Sequence, residues 1–261
     1  MRILLTNDDG IMAPGIQALA KRMVDLGEVV LVAPDTERSA SGHGITILDP
    51  IRVKPVKISS ISEAWAISGT PADCVKMAVQ EFFKDGCDMI LSGINHGPNL
   101  GTDVLYSGTV SAAIEGSILG IPSVAVSLAS FAVESDYSLS ADIAHSIAEQ
   151  LFKKKANLPP NTLLNVNIPD VEANLIKGYR ITKLGVREYS NVFDRRVDPR
   201  GNTYYWLKGE LVKQDEMDPD LDTVAIKEKY ISISPVHFDL TNYRIMKDIR
   251  KCGFEELSLN I

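Results

Sequence analysis

No stretch of this 261-residue chain approaches the roughly 18 uninterrupted apolar residues of a membrane-spanning helix. Cysteine is scarce as well. Cys74, Cys87 and Cys252 are scattered without zinc-ligand spacing, and their odd number suits free thiols in a reducing compartment. There is no excess of positive charge. A net charge of −7 argues against general affinity for nucleic-acid polymers or an anionic membrane, while leaving room for a local basic site. The chain opens directly into an apolar run, without the basic, apolar and cleavage segments of a secretion signal, so a cytoplasmic location is the expectation. A P-loop ending in Gly-Lys-Ser/Thr is missing, and no GxGxxG follows a strand. Internal repeats and low-complexity segments are absent too.

What is present is an apolar content of 45%, ample for a core, arranged in an alternating pattern over the first 170 residues. Residues 2–6 read as a buried strand. Residues 15–26 carry Ile16, Leu19, Ala20 and Met23 at helical spacing. Further strands are expected at 29–33, 89–91, 123–128 and 163–168, and extended structure at 45–56, broken by Pro50 and Pro55. Helices are expected at 71–83, with Thr70 as N-cap and Pro71 at its first position, at about 109–119, and at 141–155. Strands alternating with helices predict an α/β fold, a mainly parallel sheet covered on both faces. After Pro169 the texture changes. Residues 179–212 are polar and aromatic and read as a hairpin with a mobile charged tip around 194–198. An acidic stretch follows (Asp215, Glu216, Asp218, Asp220, Asp222), then a strand at 230–234 and a helical piece near 241–251. The expected organisation is a core over 1–170 and a C-terminal extension over 171–261 that does not fold by itself.

The first strand runs out in Asn7-Asp8-Asp9-Gly10. In open α/β sheets ligands bind beyond the carboxyl ends of the strands. Two adjoining carboxylates there repel unless something positive offsets them, and a hard divalent cation with oxygen ligands does so cheaply. Taken alone, the pair reads equally well as an Asx turn capping the next helix. The loop after the second strand, Asp35-Thr36-Glu37-Arg38-Ser39-Ala40-Ser41-Gly42-His43, lies beside the first in a parallel sheet. It offers hydroxyls at Ser39 and Ser41, a cation at Arg38 and an imidazole at His43. In isolation it is an ordinary solvated loop. His145 falls in a helical pattern and reads as structural.

The richest segment is Ser92-Gly93-Ile94-Asn95-His96-Gly97-Pro98-Asn99-Leu100-Gly101, followed by Tyr106-Ser107-Gly108-Thr109. Its glycines permit close backbone approach. Asn95 stands just past a strand, at the same end of the sheet as Asp8, and its amide oxygen suits a hard metal. The helix opening at Ser107-Gly108-Thr109 presents free N–H groups and hydroxyls, a ready anion site, although a plain N-cap has the same residues. Thr70 and Asp73 form a capping-box pair and read as structure. The aromatics between Tyr189 and Trp206 read as packing against a partner subunit, with stacking on a base or sugar as the alternative.

These blocks together, Thr6-Asn7-Asp8-Asp9-Gly10, 34–42, Ser68-Gly69-Thr70-Pro71-Ala72-Asp73, 92–101 and 106–116, with a weaker match at 230–235, resemble the survival protein SurE family of 5′/3′-nucleotidases. The resemblance implies a divalent-metal phosphomonoesterase that converts nucleoside monophosphates to nucleoside and phosphate, with 3′-nucleotides and short polyphosphate as further candidate substrates. It implies one Mg²⁺ or Mn²⁺ per subunit, held by Asp8, Asp9, Ser39 and Asn95. Asn99, Ser107, Gly108 and Thr109 fall in the phosphate-binding part. Asp8, Asp9 and His43 are the candidate catalytic residues, with Asp9 as proton acceptor and His43 assisting the leaving alkoxide. A three-layer α/β/α Rossmann-like core with a mixed sheet is implied, and a homodimer or homotetramer that exchanges C-terminal elements. Two positions depart from the family: Lys229, where glycine is usual, and Leu221, where threonine is common.

Overall fold

The computed structural model describes residues 1–59, 61–154, 158–190, 192–214 and 217–257. In chain order the elements are β1 (Arg2–Thr6), α1 (Pro14–Met23), β2 (Glu28–Pro34), β3 (Val53–Pro55), β4 (Glu63–Ile67), α2 (Pro71–Met77), β5 (Met89–His96), α3 (Gly108–Ile118), β6 (Ser123–Ala129), α4 (Ser138–Lys153) and β7 (Thr162–Pro169). They continue with β8 (Tyr179–Ile181), β9 (Arg187–Tyr189), β10 (Val192–Val197), β11 (Thr203–Lys208), β12 (Leu211–Gln214), α5 (Asp222–Lys227), β13 (Ile231–His237) and α6 (Met246–Lys251).

Nine strands form one sheet in the order β3-β4-β2-β1-β5-β6-β7-β13-β8. The run from β4 to β7 is parallel, whereas β3 and β13 pair antiparallel to β4 and β7. The fold is therefore α/β with a mixed, mainly parallel sheet, as the alternating pattern predicts. Strand alternation divides the core. Ile3, Leu5, Leu31 and Ala33 face one buried cluster with residues of α1 and α4. Leu4, Val30 and Val32 face another with residues of α2 and α3. Runs of β-branched and leucine side chains serve here because both faces are covered.

From β1 the chain steps outward to β2 and β4 on one side, then crosses to β5, β6 and β7 on the other. The reversal opens a crevice at the carboxyl ends of β1 and β5, the place where such sheets bind ligands.

Several boundaries differ from expectation. The strand expected at 89–91 continues to His96, with its register against β6 shifting between Ser92 and Asn95, so Asn95 lies inside β5 rather than past it. Of the extended stretch at 45–56, only Val53–Pro55 pairs. The helix begun at Pro71, capped by Thr70 and Asp73 as expected, gives way at Ala78–Phe82 to a wider π-helical turn. The charged run 194–197 is strand, paired from Val192↔Lys208 to Val197↔Thr203. The turn is Asp198–Asn202, closed by the Asp198 N–H on the Asn202 carbonyl at 2.9 Å. Charge did not signal a tip there because both faces of this ribbon are exposed or half-exposed. Residue 155, at the end of the helix expected over 141–155, lies outside the described residues, as do Asp215 and Glu216 of the acidic stretch. Among the described residues no helix is long and apolar enough to cross a membrane.

Candidate active site

The turn after β1 is built by Asn7, whose side chain both donates to the Gly10 carbonyl (2.9 Å) and accepts from the Gly10 N–H (3.2 Å). That leaves Asp8 and Asp9 as the groups the turn presents. Asp8 is 4% exposed, and its carboxylate accepts a hydrogen bond from the Thr109 hydroxyl. Burial raises its pKa above the ordinary 3.8. The Thr109 hydroxyl and the backbone N–H groups of Asp8, Thr109 and Gly108 pull it back. The first turn of α3 thus stabilises Asp8 directly. Gly108 explains how: a Cβ there would lie 2.7 Å from the Asp8 Cβ, so only glycine lets the helix end come this close. The Asp9 carboxylate accepts the His96 N–H at 3.2 Å. Its pKa is pushed up to about 6 by burial first, then by Asp8, with Glu37 adding to the rise and the His96 N–H opposing it.

A cavity of about 1070 Å³ opens at this crevice. Asp8, Ser39, Asn95, Asn99 and Ser107 lie on its wall. Ser39 is exposed and donates to Glu37 at 2.7 Å, and the Arg38 N–H donates to the Asp8 carbonyl at 2.7 Å, which docks the Ser39 loop against the acid pair. Asn95 commits its amide nitrogen to the Gly97 carbonyl (2.8 Å), so its oxygen is the acceptor it offers. The Asn99 carbonyl accepts from Asn165 and Asn167, each at 2.9 Å, and its amide nitrogen donates to Ser127 at 2.8 Å. The Ser107 hydroxyl oxygen caps α3 through the Val110 N–H at 3.1 Å.

Three residues sit differently from their expected roles. Thr109 is fully buried and spends its hydroxyl on Asp8 rather than lining the cavity. Gly108 likewise packs on Asp8. His43 is not on the cavity wall. Its Nε2 lies 2.9 Å from the Glu115 carboxylate, which also binds the Lys76 ammonium at 2.9 Å. His43, Glu115 and Lys76 tie the Ser39 loop to α3 and α2.

The structure also brings in Asp222, Arg187 and Asp103, to which the sequence gave no role at the site, together with Tyr189 of the aromatic run. Buried Asp222 accepts the N–H groups of Gly101 (2.7 Å), Gly185 (2.9 Å) and Thr223 (2.8 Å), stitching the glycine-rich loop to the C-terminal region. Arg187 pairs with Asp103, which also accepts the Tyr189 hydroxyl at 2.8 Å, and all three line the cavity. Asp222 was visible only as one acid among several; its burial is a property of the fold.

A cation fits this donor set on chemical grounds. The groups acting on Asp9 include two other carboxylates, and the neighbouring donors are neutral oxygens. Among the described residues no group of three or more His, Cys, Asp or Glu side chains is arranged to hold a metal ion, so the candidate donors here are the two aspartates with neutral oxygens rather than a nitrogen- or sulfur-rich set.

Comparison with known proteins gives the family. The family model described as "Survival protein SurE" matches residues 3–191. A protein of Syntrophomonas wolfei named 5′-nucleotidase SurE is 53% identical over 258 residues, covering 99% of this chain and 96% of that one. One of the same name from Heliobacterium modesticaldum is 50% identical, covering 95% and 90%. The crystal structure of SurE protein from Aquifex aeolicus superposes with a TM-score of 0.83 at 38% identity, covering 97% of this chain and all of that one. With the acid pair, the Ser39 loop, the glycine-rich loop and α3 converging at one switch point, the chain belongs to the survival protein SurE family.

Proposed function

We propose that this protein is a 5′-nucleotidase whose hydrolysis of nucleoside monophosphates depends on one divalent cation per subunit, held by Asp8, Asp9, Ser39 and Asn95. The observation that carries the reading is the Asp8–Asp9 pair: two adjoining carboxylates, both pushed up in pKa by burial, beside a large cavity at the sheet's switch point. The names of the relatives support a nucleotide as the ester. An all-oxygen donor set suits Mg²⁺ or Mn²⁺.

When bound, the cation supplies Lewis acidity toward a phosphoryl oxygen and favours ionisation of water. The chain's own residues do the rest. Asp8 is held in one orientation by Thr109 and the end of α3. Asp9 keeps one carboxylate oxygen on the His96 N–H, and the other takes the proton of the attacking water. The Ser107 hydroxyl, which uses its oxygen to cap Val110, donates its proton to a phosphate oxygen. Asn99, fixed from behind by Asn165, Asn167 and Ser127, forms the adjacent wall. His43 takes no part, since Glu115 engages its ring away from the cavity.

Residues 171–261 are an extension of the 1–170 core in this reading, not an independent unit, because β13 and β8 complete the core sheet. The exposed apolar residues Phe193, Trp206, Leu207 and Ile249 support a homodimer or homotetramer built through that extension. The test is phosphate release from a panel of nucleoside monophosphates and short polyphosphate, after EDTA treatment and with Mg²⁺ or Mn²⁺ restored. Release that disappears on chelation and returns with metal is the expected result. A folded protein that releases nothing with either cation overturns the reading.

A further inference from the structure

Strand β7 carries two residues that its place in the sheet does not call for. Asn165 and Asn167 share a face with Leu163, which packs in a buried apolar cluster with Ala125 and Val236. Both asparagines are 0% exposed. Their cross-strand neighbours, Ser127 on β6 and Ser232 and Ser234 on β13, are just as deeply buried. The face therefore turns from apolar to polar toward the carboxyl end of β7. Strands covered on both faces are normally apolar throughout. Buried amides lower stability unless each polar atom is partnered, and the Asn165 side-chain oxygen has no partner. Packing and stability alone do not select this layer.

The layer does hold one residue of the site. Asn99 stands on the cavity wall with Asn95 and Ser107, whereas Ser127, Asn165 and Asn167 do not reach the cavity. The Asn99 N–H donates to the Asn167 oxygen at 2.8 Å, and its carbonyl accepts from the amide nitrogens of Asn165 and Asn167, each at 2.9 Å. Its side-chain nitrogen donates to the Ser127 hydroxyl at 2.8 Å. Four hydrogen bonds from three residues on two strands thus fix both the backbone and the side chain of Asn99. They leave its amide oxygen and second amide hydrogen for a ligand. A polar group fixed in advance needs no reorganisation when charge develops beside it.

We propose that Ser127, Asn165 and Asn167 are positioning residues for phosphoester hydrolysis, acting through Asn99, and that Asn165 is kept although the fold is at least as stable without it. This rests on the nucleotidase reading and extends it to residues that touch no ligand.

The test places Asn165→Val and Ser127→Ala in the wild type and again in Asn99→Ala, and follows AMP hydrolysis and urea unfolding of each protein. Valine suits a buried strand, and the Asn99 carbonyl keeps its bond from Asn167, so the Asn165→Val midpoint should equal or exceed that of the wild type. Each variant should lose about tenfold in kcat with KM little changed, a coupling of ~1.4 kcal/mol, and lose nothing further once Asn99 is alanine. Equal losses in both backgrounds, a rate that falls only in step with stability, or no loss at all would overturn the proposal. Should Asn99→Ala be too slow to measure, the single variants decide: a slower enzyme of undiminished stability supports the assignment, and a slower, weakened one rejects it. If the folded wild type hydrolyses no nucleotide, the nucleotidase reading fails. Calorimetric titration with inorganic phosphate in the presence of Mn²⁺ then makes the same comparison. Weaker binding only where Asn99 is present supports the positioning role, and any other pattern, including no binding, rejects it.

Discussion

Strands β2 and β11 are both rich in apolar residues and have opposite fates. Every residue of β2 after Glu28 is buried, whereas every residue of β11 is exposed. The difference lies in neighbours rather than composition. β2 has a strand on each side and helices on both faces, while β11 pairs only with β10. The β1–β7 half of the sheet satisfies its own burial and so holds the acid pair rigidly. The C-terminal region reaches the site only at a few anchored points, Asp222 and the Arg187–Asp103–Tyr189 group. In this account the first region does the chemistry and the second shapes what enters.

Disturbing the rigid half should cost most. Gly108→Ala drives a methyl group into Asp8, and misplacing a reacting group by about 1 Å costs on the order of 100-fold in rate. Steady-state kinetics on AMP, with circular dichroism to confirm the fold, would check it. Unaltered kcat would show that the close approach of α3 to Asp8 does not matter.

The tether between the regions comes next. Asp222→Asn keeps the shape but leaves only one acceptor oxygen, so either the Gly101 N–H or the Gly185 and Thr223 N–H groups face an amide NH2, a loss of about 1–2 kcal/mol in urea unfolding. Under the division proposed here, KM for nucleotides should rise more than kcat falls. A fall confined to kcat would break the division.

The clamp of His43 and Lys76 on Glu115 lies within the rigid half and has a defined pH signature. Its hydrogen bond from His43, then those with Lys76, lower the Glu115 pKa below the ordinary 4.5 despite burial. Protons are therefore bound more tightly by the unfolded chain, and the stabilisation is present above about pH 4.5 and lost as pH falls through the lower folded value. Glu115→Gln should cost about 1 kcal/mol near neutrality and nothing at the acid end, read from urea unfolding at several pH values. A difference that does not shrink in acid would mean that the charge is not what holds the loop.

The smallest effect is a gain. Lys229 sits at φ 67°, at the end of α5, where the Tyr230 N–H bonds the Ala225 carbonyl (2.8 Å) and the Lys229 N–H bonds Ile226 (3.0 Å). This is the left-handed closure that glycine normally provides. Lys229→Gly should raise unfolding stability by about 1 kcal/mol with activity unchanged. Destabilisation would show that the lysine side chain contributes more than its backbone costs.

Much of this was legible in the sequence, for reasons that differ by region. Buried parallel strands are continuous apolar runs, so β1, β2, β6 and β7 stood out. The end of β1 in Asp8-Asp9 located the crevice, whereas Asn95, expected just past a strand, lies inside β5. The cap at Thr70 and the helix start at Ser107 followed from local chemistry. Long-range partners were not readable. His43 and Glu115 are 72 positions apart, and Gly101 and Asp222 are 121 apart. No local pattern pairs such residues. The same holds for Asn165 and Asn167, which look like surface polar residues of a strand until the fold turns them toward Asn99. The hairpin within 179–212 was legible, but its turn was misplaced onto 194–198 because exposed pairing leaves no burial pattern.

The most direct test of the central claim is a calorimetric titration of metal-free protein with Mn²⁺, run on the wild type and on Asp8→Asn, with phosphate release from AMP measured on the same samples. The account predicts one bound ion per chain and metal-dependent release for the wild type, and loss of both in a folded Asp8→Asn. Release near the wild-type rate in that variant, or turnover by wild-type protein that binds no cation, would contradict it.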